Sequence, residues 1–588
     1  MSIEHYRSAL KGQRNLAEIH TNLGSALREE GNLAMAIDHY GLALSIKPDH
    51  VTAHGNLGNA LQENGDLATA IRCYRQALLI TPGETEWYGS IGNTEKERGH
   101  VAEAHSQYCR ARALNPSNME YSYLAGLLLP KIAVSCEDIG NWRHQFEAGI
   151  VHLTGLPHRL EDPGTRIPAV AFDLAYHDRD DQGLMQALSR LYRAKASGLN
   201  FVSPHISTWD GPKGDRIKLG ICSQYLATHT IGKLYKGLIE NIDHTRFQVT
   251  LLHASKSSYD SVSANLDTHV DKAMILPSAL SAKQETIARE ELDVLFYPDI
   301  GMAPATYFLS HARLAPVQVV GWGHPDSTGI DTVDYFISAA TIEPDDGDAH
   351  YTERLIRFSR LPSCYEPLLV PDQVPDRATL GLPEVGTLYG CPQSLFKFHP
   401  DFDPVLAKIA EGDPTGHIVV IDGKQPAWTA LLQERWAASF PVLNERVLFV
   451  PRQNLDGFMK MMSHFDVLLD PIHFGSGNTM YESQVFGTPT VTWPGRFMRG
   501  RIIAGAYQQM GVSNAPIANS IGEYASVALR FGKDPTLREV ARREFLEASA
   551  NRLFSDRGVI HEYEEFFLAA VRAAGSRETL TNGWMPGH

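Results

Sequence analysis

A glycine-rich turn gives the clearest chemical signal in the sequence. Gly475, Gly477, Asn478 and Thr479 stand just before an apolar helical stretch within the segment DPIHFGSGNTMYESQVFGTP, residues 470–489. Glycine lets the backbone approach a ligand closely, and the free N–H groups of a helix N-terminus attract anions. The turn therefore predicts a site for phosphate groups.

Two charged residues extend this predicted anion site. Lys397 follows the apolar pair Leu395-Phe396 in the loop CPQSLFKFHP, where its ammonium group could neutralise a diphosphate leaving group. Glu482 lies one turn into the helix after the glycine turn, where its carboxylate could accept hydrogen bonds from ribose hydroxyls. The alternative for Lys397 is an exposed lysine, which is the commonest place for this residue.

Two histidines follow other predicted strands. His229 lies in SQYLATHTIGKL after the strand Ile217–Cys222, and His324 lies in GWGHPDSTG after Val317–Val320. Loops at the carboxyl ends of parallel strands are where ligands bind in open α/β sheets. Each imidazole could act as an acid, a base or a hydrogen-bond donor, or could simply hold its loop in place. We group His324 and Asp326 as candidates for the acceptor side of the cleft.

The elements that must position these loops alternate between β-rich runs and helical stretches. Such alternation predicts parallel sheets with crossover helices. The runs are Ile217–Cys222, Gln248–His253, Val294–Tyr297, Val317–Val320, Tyr335–Ser338, His417–Ile421, Val447–Val450, Val467–Leu469 and Thr490–Thr492. A proline-rich stretch near residues 367–383 separates two sets of runs. We therefore predict two Rossmann-like domains, at residues 215–385 and 386–588.

The N-terminal part of the chain repeats itself every 34 residues. The recurring positions are Leu23-Gly24, Leu57-Gly58 and Ile91-Gly92; Gly31, Gly65 and Gly99; Ala36, Ala70 and Ala104; and Pro48, Pro82 and Pro116. This is the period and pattern of the tetratricopeptide repeat. We predict three repeats, starting near residues 17, 51 and 85 within 1–118, and a helical cap or linker over 119–214. Stacked repeats present a concave surface, which predicts that they bind a protein.

Composition narrows the class of protein further. The net charge of −15 argues against nucleic-acid binding, which needs clustered Lys and Arg. The six cysteines are scattered without zinc spacing, which fits a reducing compartment. The N-terminus lacks the apolar core of a signal peptide, and no apolar run is long enough to span a bilayer. We therefore expect a cytoplasmic protein without a membrane span.

Two acidic triplets raise the question of a metal. Asp178-Arg179-Asp180 has the D-x-D form that can hold a divalent ion on a sugar-nucleotide diphosphate. It stands at a predicted helix start, where carboxylates favour the helix dipole, so we interpret it as capping. Asp346-Gly347-Asp348 lies in a turn-rich stretch and is interpreted as a solvated loop. No metal site is predicted.

Two long segments resemble a known family. RLAPVQVVGWGHPDSTGIDTVDYFI, residues 313–337, resembles the R-x-A-P-x-Q, G-x-P-x-T-x-G and D-Y block of the O-GlcNAc transferase and SPINDLY group, glycosyltransferase family 41. DPIHFGSGNTMYESQVFGTPTVTWPG, residues 470–495, resembles the donor-binding block of that group. With the repeats, the resemblance covers essentially the whole chain. It implies a GT-B fold, an inverting mechanism and no required metal.

The resemblance also implies roles for single residues. His229 resembles the histidine of the family's S-D-F-x-x-H loop, and Lys397 matches the lysine that contacts the donor diphosphate. Gly477 precedes Asn478, Thr479 and Glu482, which fall at the H-T-T-x-x-D donor motif, with Asn-Thr in place of Thr-Thr and Glu in place of Asp. Phe458 falls where a histidine packs on the donor base, and an aromatic ring could stack there. These departures leave the donor's identity open.

The predicted activity is transfer of a sugar, GlcNAc or a related one, from a nucleotide-sugar to Ser/Thr side chains of a protein that the repeats recognise. The donor is expected to be UDP-linked and to act as a substrate, with no cofactor. Two other enzymatic readings stay open: an Asn-directed protein glucosyltransferase, which the IGM and GHP segments resemble, and a bacterial flagellin or surface-protein glycosyltransferase with another donor. A different class is a catalytically weak repeat scaffold that binds a protein partner.

Overall fold

The computed structural model of the chain describes residue 6 and residues 17–167 and 171–587. The rest of the predicted repeat region before residue 17 lies outside the described residues. The described chain forms two compact units. One unit holds the residues up to Lys131 together with His144–Leu153 and Lys424–Leu431. The other holds Ile132–Arg143, Thr154–Gly423 and the chain from Leu432 onward.

The first unit is built from helix pairs at the predicted period. The pairs are Ala17–Glu29 with Leu33–Ile46, Val51–Glu63 with Leu67–Ile80, and Thr85–Glu97 with Val101–Leu114. The predicted turn glycines Gly31, Gly65 and Gly99 have φ of 81°, 86° and 79°, a left-handed conformation that favours glycine. The predicted turn chemistry of the repeats is therefore confirmed.

The recurring glycines Gly24, Gly58 and Gly92 have a packing role. A Cβ atom added at Gly24, Gly58 or Gly92 would lie 2.5–2.7 Å from a ring carbon of a tyrosine on the next helix. These tyrosines are Tyr40, Tyr74 and Tyr108, all fully buried. Each glycine thus makes room for an aromatic ring, so the two helices of a pair approach closely.

Among the described residues, four helices connect the repeats to the first sheet along the chain. The helices are Met119–Gly126, Cys136–Gly155, Pro163–Arg166 and Gln182–Lys195. Three 3-10 turns, Ala171–Tyr176, Ser197–Asn200 and Pro204–Thr208, complete this region. In the first unit, Gly126 and Gly149 allow a close approach of two backbones, because a Cβ on Gly149 would overlap the carbonyl group of Gly126.

The first α/β domain contains a parallel sheet of seven strands. The strands are β1 (Ile217–Ser223), β2 (Phe247–His253), β3 (Lys272–Ile275), β4 (Val294–Tyr297), β5 (Val317–Val320), β6 (Tyr335–Ala339) and β7 (Arg354–Phe358). They lie in the order β3-β2-β1-β4-β5-β6-β7, and β1 pairs with β2 from Ile217 opposite Phe247. The helices between them are Thr230–Asn241, Ser261–Asp267, Leu280–Ala288 and Pro304–Leu309. Strand order reverses direction at β1 and β4, which is the position where such sheets open a ligand crevice.

The second α/β domain contains a parallel sheet of five strands. The strands are β8 (Leu388–Cys391), β9 (His417–Ile421), β10 (Val447–Val450), β11 (Val467–Leu469) and β12 (Thr490–Val491), in the order β10-β9-β8-β11-β12. Its helices are Asp403–Gly412, Pro426–Ser439, Pro441–Arg446, Leu455–Met462, Asn478–Gln484, Ile502–Met510, Ile521–Lys533 and Pro535–Arg552. Two parallel sheets after helical repeats confirm the predicted fold class.

The last helix, Gly558–Gly575, returns to the first sheet. The ring of Phe566 lies 5.5 Å from that of Tyr335, and the ring of Tyr563 lies 4.9 Å from that of Phe358. The predicted division assigned all of 386–588 to the second domain, so the structure differs here. Parallel strands buried on both faces need helices on both, and this helix covers part of the first sheet. Across the described residues, no helix combines the length and apolar character needed to cross a bilayer.

Candidate functional site

The loops after three strands open onto two adjoining cavities of about 480 and 380 Å³ in the second unit. These loops follow β1 in the first sheet and β8 and β11 in the second. His229, Gln393 and the pair Asn478-Thr479 line both cavities. The site therefore lies at the carboxyl ends of strands from both sheets, as the sequence predicts.

Lys397 ends the short 3-10 turn Leu395–Lys397 and lines the smaller cavity. Its ammonium donates hydrogen bonds to Gln393 Oε1 at 2.8 Å and to the Gly475 carbonyl at 2.9 Å. It also lies 4.9 Å from the centre of the Phe474 ring. Burial lowers the pKa of Lys397 to about 8, against the pull of Asp470. The side chain is thus a cation held at the cavity by neutral acceptors.

The glycine turn is held from behind by a buried carboxylate. Asp470 Oδ1 accepts the Ser476 N–H at 2.6 Å, and Oδ2 accepts the Thr492 hydroxyl at 2.9 Å. A Cβ atom on Gly475 would lie 2.6 Å from Asp470, so glycine is required there. Gly477 has open space at its Cβ position and lines the smaller cavity. The turn can therefore approach a ligand closely at Gly477.

The helix Asn478–Gln484 starts at this turn and carries three predicted donor residues. Asn478 Oδ1 accepts the Tyr365 hydroxyl at 2.9 Å, while Thr479 lines both cavities. Glu482 is buried, lines the larger cavity and forms an ion pair with Lys233 at 2.8 Å. Because Lys233 comes from the first α/β domain, this ion pair joins the two halves of the cleft.

Phe458 lies on the helix Leu455–Met462 and lines the larger cavity. The ring is partly buried and packs against the apolar core of the second α/β domain. One face of an aromatic ring beside a cavity can stack on a nucleobase. Arg452 and Asn454 line the same part of the cavity.

His229 caps the helix Thr230–Asn241. Its Nδ1 accepts the Ile231 N–H at 3.2 Å, and its ring stacks on Tyr225 at a centroid distance of 4.4 Å. Burial, followed by the charge of Lys233, lowers the pKa of His229, so the ring is neutral near neutral pH. A neutral imidazole that accepts at Nδ1 carries its proton on Nε2, from which it can donate a hydrogen bond.

His324 and Asp326 lie behind the wall of the cleft. His324 is 2 % exposed, and its Nδ1 lies 2.9 Å from the Asp326 carbonyl oxygen. Asp326 forms a buried ion pair with Arg499 at 3.2 Å, and Arg499 also lies 3.5 Å from Asp181. Burial lowers the pKa of His324 to about 4 and raises that of Asp326. Their neighbours Gly323 and Pro325 line the smaller cavity, so contact with an acceptor stays a prediction for the pair.

The acidic triplets lie in loops with protein partners. Asp180 Oδ1 accepts the N–H of Gln182 at 3.0 Å at the start of the helix Gln182–Lys195. The N-cap residue Asp181 makes no side-chain capping bond and pairs with Arg143 at 2.6 Å instead. In the second triplet, Asp348 forms an ion pair with Arg357 at 3.0 Å.

Sequence reasoning missed several residues of the cleft. Lys233, Gln393 and Arg452 were not singled out, although Gln393 follows β8 and Arg452 follows β10. For Gln393 and Arg452, the position directly after a strand is the signal that could have identified them, whereas Lys233 lies within the helix Thr230–Asn241. Phe172 and Tyr176, which line the smaller cavity, come from a 3-10 turn far from any strand and carried no such signal.

Comparison with known protein families supports the description of the repeats. The tetratricopeptide repeat family matches residues 24–65 and 51–84. The chain therefore carries tetratricopeptide repeats, as the periodicity predicts.

Two curated relatives each match part of the chain. One is the UDP-glucose:protein N-beta-glucosyltransferase of Actinobacillus pleuropneumoniae serotype 7 (strain AP76), 27% identical over 45% of this chain and 42% of the relative. Another is a probable UDP-N-acetylglucosamine--peptide N-acetylglucosaminyltransferase SPINDLY of Oryza sativa subsp. japonica, 24% identical over 62% of this chain and 40% of the relative. The chain thus spans less than half the length of the curated relatives it matches.

A solved structure supports the architecture. A mutant O-GlcNAc transferase of Thermobaculum terrenum superposes with a TM-score of 0.69 at 22% identity, covering 95% of this chain and 98% of that one. The class is therefore a tetratricopeptide-repeat protein with a two-domain α/β region of the GT-B type. Within that class, the chain resembles the O-GlcNAc transferase and SPINDLY group and the bacterial protein N-glucosyltransferases.

Proposed function

We propose that the chain is an inverting, metal-independent protein glycosyltransferase that uses a UDP-linked sugar. The observation that carries the proposal is the convergence of Lys397, the turn at Gly477 and the ring of Phe458 on two adjoining cavities between the α/β domains. The ammonium group of Lys397 and the accessible backbone at Gly477 match a diphosphate, and the aromatic ring of Phe458 matches a nucleobase. The names of the relatives, which include UDP-glucose and UDP-N-acetylglucosamine enzymes, support this donor class.

The proposed step is a direct displacement at the anomeric carbon. A bond forms between the acceptor atom and that carbon while the bond from the carbon to the diphosphate oxygen breaks. Negative charge then grows on the departing phosphate, where Lys397 and the helix start at Asn478 stabilise it. Both groups are fixed before the reaction by contacts within the protein, so they need little rearrangement.

His229 is proposed to orient the acceptor by donating a hydrogen bond. Its Nδ1 already accepts a backbone N–H, so the neutral ring offers a proton at Nε2 and no lone pair for a base. The acceptor proton would then pass to a departing phosphate oxygen. Of the two roles that the sequence leaves open for His229, base or orienting group, the Nδ1 contact supports the orienting group.

GlcNAc transfer to Ser/Thr is the acceptor chemistry we propose first. The name of the SPINDLY relative, a peptide N-acetylglucosaminyltransferase, supports the sugar. A second candidate is glucosyl transfer to asparagine, favoured by the N-beta-glucosyltransferase relative and by the IGM and GHP segments. Mass spectrometry of modified peptides, with the sugar mass and the modified residue type assigned, separates the two candidates.

The repeats are proposed to bind the protein acceptor, because stacked helix pairs form extended surfaces that bind other chains.

We propose that the protein acts in the cytoplasm. All six cysteines are free, and a protein that keeps its cysteines reduced fits a reducing compartment.

The test is a screen of nucleotide-sugars by thermal unfolding. A ligand present at about 100 times its Kd stabilises the native state by about 2.7 kcal/mol. We expect UDP-sugars to raise the melting temperature of the wild type, and Phe458→Ala to reduce the shift. Equal shifts with UDP-, GDP- and CMP-sugars, or none with any of them, would contradict the proposed donor site. A donor that binds but is never transferred to protein would instead favour the scaffold class.

A further inference from the structure

Three side chains with metal-ligand chemistry converge behind the turn that carries Lys397. Cys136 starts the helix Cys136–Gly155, while His399 and Asp401 follow Lys397 by two and four residues. One ligand atom from each of the three lies within 4.8 Å of the others. Cys136 Sγ is 3.1 Å from Asp401 Oδ1, and His399 Nδ1 is 3.4 Å from Asp401 Oδ2.

These two separations are close to those of a tetrahedral metal site, and the third, between Cys136 Sγ and the ligand nitrogen of His399, is at most 4.8 Å. Zinc bonds of about 2.0 Å to N and O and about 2.3 Å to S place neighbouring ligands about 3.3–3.5 Å apart. The three groups therefore need only small shifts to share one ion. His399 Nδ1 also accepts the Asp401 N–H at 3.2 Å, so that contact must open if Nδ1 is the ligand.

A second layer of contacts fixes the carboxylate. His473 Nε2 lies 3.0 Å from Asp401 Oδ2, and His473 Nδ1 lies 3.2 Å from Asp178 Oδ2. His473 is buried and has a φ of 74°, a conformation that residues other than glycine rarely adopt. Outer partners of this kind, which orient a ligating group, are a regular part of metal sites.

We propose that Cys136, His399 and Asp401 bind a zinc-type divalent ion, with water in the fourth position. Thiolate and imidazole ligands favour zinc over Mg²⁺ or Ca²⁺, which prefer oxygen ligands. The Cys136 thiol releases its proton to solvent when the Sγ–metal bond forms. The ion would join the Lys397 turn and the Asp470–Gly477 loop to the start of the helix at Cys136.

This ion has no part in the transfer step. In the part of the chain that the structure describes, the lining of the two cavities includes none of the three ligands. The proposal goes beyond the proposed function and does not rest on it. Its test measures metal binding without a sugar donor, so it can fail while the proposed function stands, and the reverse also holds.

The experiment uses the full chain, stripped with EDTA, returned to chelator-free buffer and titrated with Zn²⁺ or Co²⁺. We expect one equivalent of either ion to bind, and Co²⁺ to give thiolate charge-transfer absorption. Cys136→Ser should abolish that absorption, and both Cys136→Ser and His399→Gln should lower Zn²⁺ affinity by more than the roughly 10–100-fold that loss of an outer partner costs. His473→Gln leaves all three ligands in place and should lower affinity by about 10-fold.

Cys109→Ser is the matched control. Cys109 Sγ lies 3.6 Å from His105 Nε2, so it offers a thiol beside an imidazole at a different place. This variant should keep the stoichiometry, affinity and spectrum of the wild type. The proposal is overturned if the wild type binds no stoichiometric ion, or if Cys136→Ser and His399→Gln both bind as the wild type does. Loss of the cobalt absorption in Cys109→Ser instead of Cys136→Ser also overturns it.

Discussion

Raising the pH is expected to weaken donor binding because Lys397 loses its charge. Burial lowers the pKa of this lysine to about 8, while the charge of Asp470 opposes the shift. Only the protonated form attracts a diphosphate. A bound diphosphate in turn stabilises the ammonium and raises its pKa, so binding is coupled to proton uptake above about pH 8.

The size of the effect follows from the protonated fraction. With a pKa of about 8, that fraction is about nine-tenths at pH 7 and about one-tenth at pH 9. Apparent affinity scales with the fraction of protein that is competent to bind. The Kd for the donor should therefore rise about tenfold over this range, or about 1.4 kcal/mol. Donor binding is therefore strong below about pH 8 and weakens as the pH rises above it.

The assay is calorimetric titration with a UDP-sugar at several pH values and constant ionic strength. Lys397→Arg keeps its charge throughout, so its Kd should be nearly independent of pH, even if binding is weaker overall. Lys272→Ala, which removes an exposed lysine paired with Glu290, should keep the wild-type slope. A flat profile in the wild type, or the same slope in Lys397→Arg, would refute the role given to Lys397.

Four further changes have expected outcomes. Phe458→Ala should raise the donor Kd by about 5–150-fold, the equivalent of 1–3 kcal/mol, whereas Phe458→Tyr should change it little in the same titration. Arg499→Met should lower the free energy of unfolding by about 3–5 kcal/mol in urea, because Asp181 and Asp326 are left buried without their cation. Transfer rates in EDTA and in Mg²⁺ or Mn²⁺ should be equal, and restoration of a lost rate by either ion would contradict a metal-independent step. A chain beginning at Met119 should still bind the donor by calorimetry but modify the native acceptor slowly, and undiminished modification would remove the repeats from acceptor choice.

Local and periodic features of the fold could be predicted from the sequence. The repeats could be identified because one conformational demand, the positive φ at Gly31, Gly65 and Gly99, recurs at a fixed period. The order of β-rich runs and helices likewise gave two parallel sheets. The return of the helix Gly558–Gly575 to the first sheet could not be predicted. The apolar residues of a helix indicate that one face is buried, but they do not indicate which sheet that face covers.

In the cleft too, local sequence features could be predicted but contacts between distant parts of the chain could not. The turn at Gly477 could be located because it follows the predicted run Val467–Leu469. Lys397 is indicated by its loop alone, since the strand Leu388–Cys391 before it is not among the predicted runs. The ion pair between Lys233 and Glu482 joins residues 249 positions apart, and its existence depends on how the two α/β domains face each other. Only the three-dimensional structure shows such a pair.

The two lysines of the cleft differ in how far their charge is already cancelled. Lys233 contacts a carboxylate directly, so its field at the cavity is reduced by Glu482. The hydrogen-bond acceptors of Lys397, by contrast, are an amide oxygen and a backbone carbonyl, both neutral. Neutral acceptors fix the position of an ammonium group without removing its charge, and burial strengthens the field that it exerts. Burial therefore lowers the pKa of Lys397, but the charge of its protonated form remains available to a departing phosphate.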